Sequence, residues 1–291
     1  MSTRRFRFGI SFRSVGGRDE WVAKCRRAEE LGYDVIAVPD HLGEGRAAPL
    51  PALAVAAAVT ERPRVVPFVL DVPFYNPALL AREVSTVAGV TGGRLDLGLG
   101  AGHMKSEFDD AGLPWRPARE RVAFLAETVA ELRSRLGTGL PPLLIAGNGD
   151  LVLDLAAREA DIVGFGGLRQ VEGEPPGTLT LISPEELHER TTFVRDRAGT
   201  RADGLEFNLL VQYVATSDDP KAEIEAWAAP IQGPKPDIGR LLEAPQLLAG
   251  TPDEIAATLH ERREHYGFSY LTVFEPALET FAPVLRALAG E

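Results

Sequence analysis

Apolar and small or polar residues alternate over Phe6-Arg7-Phe8-Gly9-Ile10-Ser11-Phe12, and after Gly16-Gly17 the apolar positions Trp21, Cys25, Ala28 and Leu31 recur at helical spacing. The pattern predicts a strand, a loop and a helix that Gly32 stops, followed by a second strand in the β-branched run Asp34 to Val38. The same unit then repeats. Helices are expected near Pro51 to Thr60, Pro77 to Val90, Pro117 to Leu136 and Asp150 to Glu159, and strands at Arg64 to Leu70, Arg94 to Leu99, Pro142 to Ile145 and Asp161 to Phe165. Gly166 to Leu181, rich in glycine and proline, is too long for an ordinary connection and reads as an insertion or lid. Ser183-Pro184-Glu185-Glu186 opens a helix to about Ala198, Leu205 to Thr216 reads as a seventh strand, and Asp219-Pro220 opens more helix before a broken region from Pro230 to Gly239. Thr251-Pro252-Asp253-Glu254 caps a helix ending at Gly267, Ser269 to Phe274 is the eighth strand, and Ala277 to Leu288 closes the chain.

Eight strands alternating with helices favour parallel crossover connections, and eight such units close a (β/α)8 TIM barrel of the α/β class, with residues 1–291 as one domain. A doubly wound open sheet is the alternative, but no G-x-G-x-x-G turn follows the first strand.

Composition narrows the function without naming it. The chain carries 42 acidic and 31 basic residues, a net charge of −11, which repels polyanions and argues against a nucleic-acid partner. Its single cysteine, Cys25, lies in a helical pattern and forms no redox motif, so a reducing, cytoplasmic location is expected. The first residues lack the apolar core of a signal peptide, and no run is long enough to span a bilayer.

In a barrel of this kind chemistry gathers beyond the carboxyl ends of the strands. Pro39-Asp40-His41 after the second strand sets a carboxylate beside an imidazole, able to hydrogen-bond a ring or move a proton near neutral pH, although a capped loop would read the same way. After the third strand, Leu70-Asp71-Val72-Pro73-Phe74-Tyr75 offers a carboxylate and two aromatics that either wall a flat ligand or merely cover the core. Gly100-Ala101-Gly102-His103 after the fourth lets backbone approach a ligand and places a second histidine, while Glu107 and Phe108 read as the start of a helix. Ala146-Gly147-Asn148-Gly149 leads into a helix whose amides suit an anion, with Asp150 as the expected N-cap, and Phe165-Gly166 borders the same place. His188, His260 and His265 are scattered on polar helix faces. No metal-ligand spacing and no G-x-S-x-G elbow is present.

Four stretches together resemble one family. Val38-Pro39-Asp40-His41, Asn76-Pro77-Ala78-Leu79-Leu80-Ala81-Arg82-Glu83, Gly92-Gly93-Arg94-Leu95-Asp96-Leu97-Gly98-Leu99-Gly100-Ala101-Gly102 and Arg158 to Gly164 look like the luciferase-like monooxygenase superfamily, in particular its coenzyme F420-dependent oxidoreductase branch. Leu247 to Pro252 is similar to that branch near its C-terminus. The resemblance implies a deazaflavin ring at the barrel mouth with Asp40 and His41 beside it. It also implies a bulge at Leu70-Asp71, commonly with a non-prolyl cis peptide, pressing on the ring's rear face. Gly100, Ala101 and Gly102 would then border the cofactor, and Ala146, Gly147, Asn148 and Gly149, with Phe165 and Gly166 beside them, would hold its phosphate. The expected activity is F420-dependent hydride transfer to or from a small organic substrate, with His41 or His103 handling the proton in a homodimer. An FMN-dependent monooxygenase and a non-catalytic ligand- or partner-binding barrel are the alternatives.

Overall fold

Short β-branched runs that are apolar on both sides belong in a parallel sheet covered by helices, and this is what the alternating pattern forms. The computed structural model describes residues 4–174, 176, 178–230 and 237–291, so positions 175 and 177 of the expected insertion, and 231–236 of the expected broken region, lie outside the described residues. The first half runs β1 (Arg7–Ser11), α1 (Arg18–Leu31), β2 (Val35–Val38), α2 (Pro49–Ala58), β3 (Arg64–Pro67), β4 (Leu70–Asp71), α3 (Pro77–Val90), β5 (Leu97–Gly100), α4 (Lys105–Asp110) and α5 (Ala118–Leu136). The second continues with β6 (Leu143–Ala146), α6 (Asp150–Glu159), β7 (Ile162–Phe165), β8 (Leu168–Gln170), β9 (Leu179–Leu181), α7 (Pro184–Ala198), β10 (Glu206–Leu210) and β11 (Tyr213–Thr216). It ends with α8 (Pro220–Ala228), α9 (Ile238–Glu243), β12 (Leu247–Gly250), α10 (Pro252–Tyr266), β13 (Phe268–Phe274) and α11 (Ala282–Ala287).

The main sheet has the order β3-β2-β1-β13-β10-β7-β6-β5-β4 and every pairing in it is parallel. Its two ends, β3 and β4, are halves of one strand interrupted at Phe68-Val69, whose peptide bond is cis. A bridge between Val65 and Leu95 brings β3 back against the segment leading into β5, so the eight strand positions close on themselves. The expected (β/α)8 barrel is therefore the fold.

The interior is layered, and the layers differ in chemistry. At the end where the strands begin, Arg7 bonds Asp96 (2.8 Å) and Glu206 (2.6 Å), Arg64 Nε donates to Asp96 at 2.8 Å, and the Arg7 guanidinium lies 4.5 Å from the Tyr270 ring centroid. Above this plug come Val35, Val66, Leu144, Ile162 and Tyr270. Nearest the other end the side chains are small, with Ser11 registered to Ala37 and Ala146 to Gly164. The barrel is thus filled by large side chains at its amino end and lined by small ones at its carboxyl end, where a ligand would enter.

Two expectations need correction. The seventh strand does not run unbroken from Leu205 to Thr216: Val211 N still donates to Thr272 O (2.8 Å), but Gln212 N donates to Gln246 O (2.7 Å), and β11 leaves the barrel to pair with β12 in a separate small sheet. The switch is anchored by the buried Gln246 amide, which donates to the carbonyls of Gly167 (2.7 Å) and Ile182 (3.1 Å) and so ties the insertion to the same corner. The insertion itself contains an antiparallel hairpin, β8 with β9. The second correction concerns α6, whose N-cap is Gly149, with Asp150 as the first helical residue. The capping boxes at Ser183 and Thr251 form as their sequences predict. Among the described residues no helix is long and apolar enough to cross a membrane.

Candidate active site at the carboxyl end of the barrel

Asp40 is carried by the turn after β2, where its side chain is buried and works as a connector: Oδ2 accepts from Asp71 N–H (3.1 Å) and from the Tyr75 hydroxyl (2.8 Å). Those two donors stitch the end of β2 to the end of β4. Burial is the largest influence on Asp40 and raises its pKa, against which the Tyr75 and Asp71 hydrogen bonds act. The aromatic pair after β4 divides its duties, Tyr75 holding Asp40 and Phe74 packing on Phe108 with centroids 5.2 Å apart.

His41 projects beside Asp40, half-buried, and its Nδ1 lies 2.9 Å from Glu107 Oε1. Glu107 is the residue that sequence reading passed over. It sits on α4, buried at 5% exposure, with Oε2 lacking any partner. The signal was available in the spacing, since a glutamate on the short helix after the Gly-rich turn of β5 returns its side chain toward the mouth. Burial lowers the His41 pKa, helped by the positive charges of Arg46 and Arg13, whereas burial raises that of Glu107. The two shifts run toward each other, the direction that favours sharing a proton across their hydrogen bond. His103 stands over the pair, its ring 5.7 Å from that of His41 at 77°, and is exposed at the rim.

Behind the dyad lies a third carboxyl. Asp71 is 4% exposed, Oδ2 has no partner, and its pKa is raised well above the carboxylate range by burial first and then by Asp40 and Glu107, with Arg121 opposing. Arg121 is held in place by donating to Ala101 O (3.1 Å) and stacking 3.8 Å from the Trp115 centroid.

The bulge lies two residues before the position expected for it. Leu70 is fully buried in the core between barrel and helices and is turned away from the mouth, so the rear wall is made by half-buried Phe68 and Val69, which pack with the interior cluster. The β5 glycines explain how the bulge fits. A Cβ at Gly98 would lie 2.0 Å from Pro67 O and one at Gly100 2.6 Å from Val69 Cγ2, so the missing side chains make room for the chain itself. At Gly102, φ is +72° and a Cβ would meet the Phe108 ring at 2.7 Å. Gly100, Ala101 and Gly102 thus border the mouth but shape it through the bulge and Phe108.

Past β6 the anion-accepting turn is only partly as expected. Gly147 N–H is already spent on Gly164 O (3.1 Å), and its missing Cβ accommodates Val152, so this amide is not available to a phosphate. The α6 N-terminus, preceded by Asn148 and Gly149, borders a pocket of about 170 Å³ lined by Asn148, Phe165, Gly167, Arg169 and Arg190. Asp150 points to the outside of this pocket and pairs with Arg190. Gly166 lies beside the Asn148 amide, and Ala146 faces the interior. A larger hollow of about 430 Å³ opens at the opposite end of the barrel between Phe6, Phe8 and Leu285, and no histidine lines it. His188 and His265 stack on each other at 4.5 Å and His260 pairs with Glu291, so these three lie apart from the mouth. Among the described residues no group of three or more His, Cys, Asp or Glu is arranged to hold a metal ion.

Comparison with known proteins supplies a context for this geometry. The luciferase-like monooxygenase family model matches residues 12–138, the part that carries Asp40, His41, Asp71 and Glu107. An F420-dependent glucose-6-phosphate dehydrogenase of Kribbella flavida is 39% identical over 137 residues, which is 44% of this chain and 40% of that protein. The chain therefore spans well under half the length of this relative within the matched region. One from Nakamurella multipartita is 28% identical over 321 residues, covering 91% of both chains. Among solved structures, the coenzyme F420 dependent tetrahydromethanopterin reductase of Methanopyrus kandleri superposes with a TM-score of 0.73 at 16% identity over 97% of each chain, a likeness of fold.

Proposed function

We propose that the chain is a member of the luciferase-like monooxygenase family, whose model matches residues 12–138, and that it is an F420-dependent oxidoreductase acting on a small organic substrate. The observation that carries this reading is the His41–Glu107 pair, a proton-handling dyad at 2.9 Å on the open end of a barrel floored by small residues.

The residues present suit the cofactor. A flat tricycle needs width without depth, which the Ser11, Ala37, Ala146 and Gly164 layer leaves, and a rear wall, which Phe68 and Val69 provide. Its anionic tail would be held by the α6 N-terminus with Asn148, Arg169 and Arg190. When bound, F420 supplies a carbon centre that gives or takes a hydride. The protein's share is orientation and proton movement. His41 holds the transferable proton, Glu107 sets its tautomer through Nδ1 and accepts or returns the charge, and Asp40 keeps the turn rigid by joining Tyr75 to Asp71. Burial, with Asp40 and Glu107 next, pushes the Asp71 pKa up and so disfavours a further negative charge behind the dyad.

A fluorescence titration of the purified protein with F420 and, separately, with FMN tests the proposal. Saturable F420 binding that weakens in an Arg169→Ala/Arg190→Ala variant is expected. Tight FMN binding with none for F420 would move the reading to an FMN-dependent monooxygenase, the second reading that the family supports. No binding of either would leave a non-catalytic barrel.

We extend the proposal to a homodimer. The α2 helix, Pro49–Ala58, contains no polar residue, and Val55 (43% exposed) and Leu79 (51%) present an apolar face beside it. Sedimentation should give a dimer that Val55→Glu dissociates, and a monomeric parent protein would refute this.

A further inference from the structure

Two guanidiniums stand at the mouth without a carboxylate. Arg13 follows β1 by two residues, with its Cζ 4.6 Å from the centroid of Phe274, the last residue of β13. Arg46 lies in the loop between β2 and α2, next to Gly45, which holds φ +72°. Both are exposed, and among the described residues neither is ion-paired. The nearby acids are already committed, Asp40 Oδ2 to Asp71 and Tyr75 and Glu107 Oε1 to His41. Each arginine acts on His41, and Arg46 also acts on Arg13 and on Glu107. Like charges that act on each other without a direct ion pair are unfavourable, and this happens in a chain whose net charge is −11, where carboxylates are plentiful.

We propose that Arg13 and Arg46 form a fork that holds a carboxylate or phosphate group of the substrate beside His41, so that the substrate of this barrel is an organic anion. Planar guanidiniums grip either group through paired N–H donors. The inference rests on the oxidoreductase reading for its word substrate, but the anion site stands on the arginines themselves.

The placement has a second effect. The groups facing His41 are Glu107 from α4, His103 from the turn after β5, Asp40 beside it, Arg46 from its own loop and Arg13 from the β1 loop. A bound anion offsets the two arginines and leaves Asp40 and Glu107 unopposed, which favours the imidazolium. A bound anion therefore favours the charged form of His41, and an empty mouth favours the neutral one.

The test uses inorganic phosphate as probe and the His41 ring signals in an NMR pH titration of the cofactor-free protein. Saturating phosphate is expected to raise the His41 midpoint in the wild type. In Arg13→Ala/Arg46→Ala the midpoint starts higher and phosphate no longer moves it. Arg13→Lys/Arg46→Lys keeps the low starting midpoint but needs roughly tenfold more phosphate, because the charge remains and the paired donors do not. A wild-type midpoint that phosphate leaves unmoved overturns the proposal, as does the same movement in the alanine variant. F420 titration of the alanine variant separates the two readings. Retained F420 binding with a lost phosphate response supports both, whereas a phosphate response in a wild-type protein that binds no F420 removes the F420-dependent reading and keeps the anion site.

Discussion

His41→Ala is expected to lower turnover by a factor of about 10²–10⁴ while leaving F420 affinity within a fewfold of the wild type, because in the proposed reaction the imidazole moves a proton and the tail is held elsewhere. Glu107→Gln should fall in the same direction by a smaller factor, since an amide still hydrogen-bonds Nδ1 but carries no charge to share. The pH dependence has a definite sign. Burial with Arg46 and Arg13 lowers the His41 pKa below its ordinary value. When the substrate receives the hydride, His41 must donate, and the rate falls as pH rises through that lowered value. When the substrate gives up the hydride, His41 must accept, and the rate rises over the same interval. Glu107→Gln should displace that limb, because a neutral partner no longer stabilises the imidazolium. Steady-state kinetics followed at the cofactor's absorbance, over pH, give both answers, and a wild-type kcat in His41→Ala would remove the dyad from the chemistry.

Gly98→Ala should be among the most destabilising single methyl additions in the molecule. The added Cβ would sit 2.0 Å from Pro67 O, a main-chain atom that cannot rotate aside, and 3.1 Å from Val69 Cγ1. Overpacking against backbone costs about 3 kcal/mol or more, which corresponds to a fall in thermal midpoint of roughly 6 °C or more for a chain of this size. Gly89→Ala, on the solvent side of α3 with nothing within 4 Å of the new methyl, is the matched control and should be neutral or slightly stabilising. Calorimetry on the pair distinguishes a clash from a general loss of glycine freedom. Equal midpoints would mean that the bulge yields, and the rear wall built from Phe68 and Val69 would then be soft.

Much of this arrangement can be read along the chain, for identifiable reasons. Barrel strands announce themselves because most are short apolar runs between helix-length segments, and Asp40 and His41 stand at a strand end whatever the register. What periodicity lacks is information about partners. Leu205 to Thr216 carries no glycine or proline break, so nothing local marks Val211-Gln212 as the point where hydrogen bonding passes from Thr272 to Gln246. The four residues of β12 are too few to show a period. Glu107 escapes for a related reason, as its hydrogen bond reaches back 66 positions and an acidic residue in a first helical turn already has a local explanation. Gly147 misleads in the opposite direction. Its glycine suggests ligand contact, while its actual neighbours are Val152 and the Gly164 carbonyl.

The ionic plug of Arg7, Asp96, Glu206 and Arg64 closes one end of the barrel. Traffic is consequently confined to a single doorway. Whatever lodges deepest must arrive first and depart last, so a ring seated on Ser11 and Ala37 would have to be in place before an acceptor covers it. Binding in a compulsory order is what the proposed seating of the ring entails, before any detail of the reaction is considered.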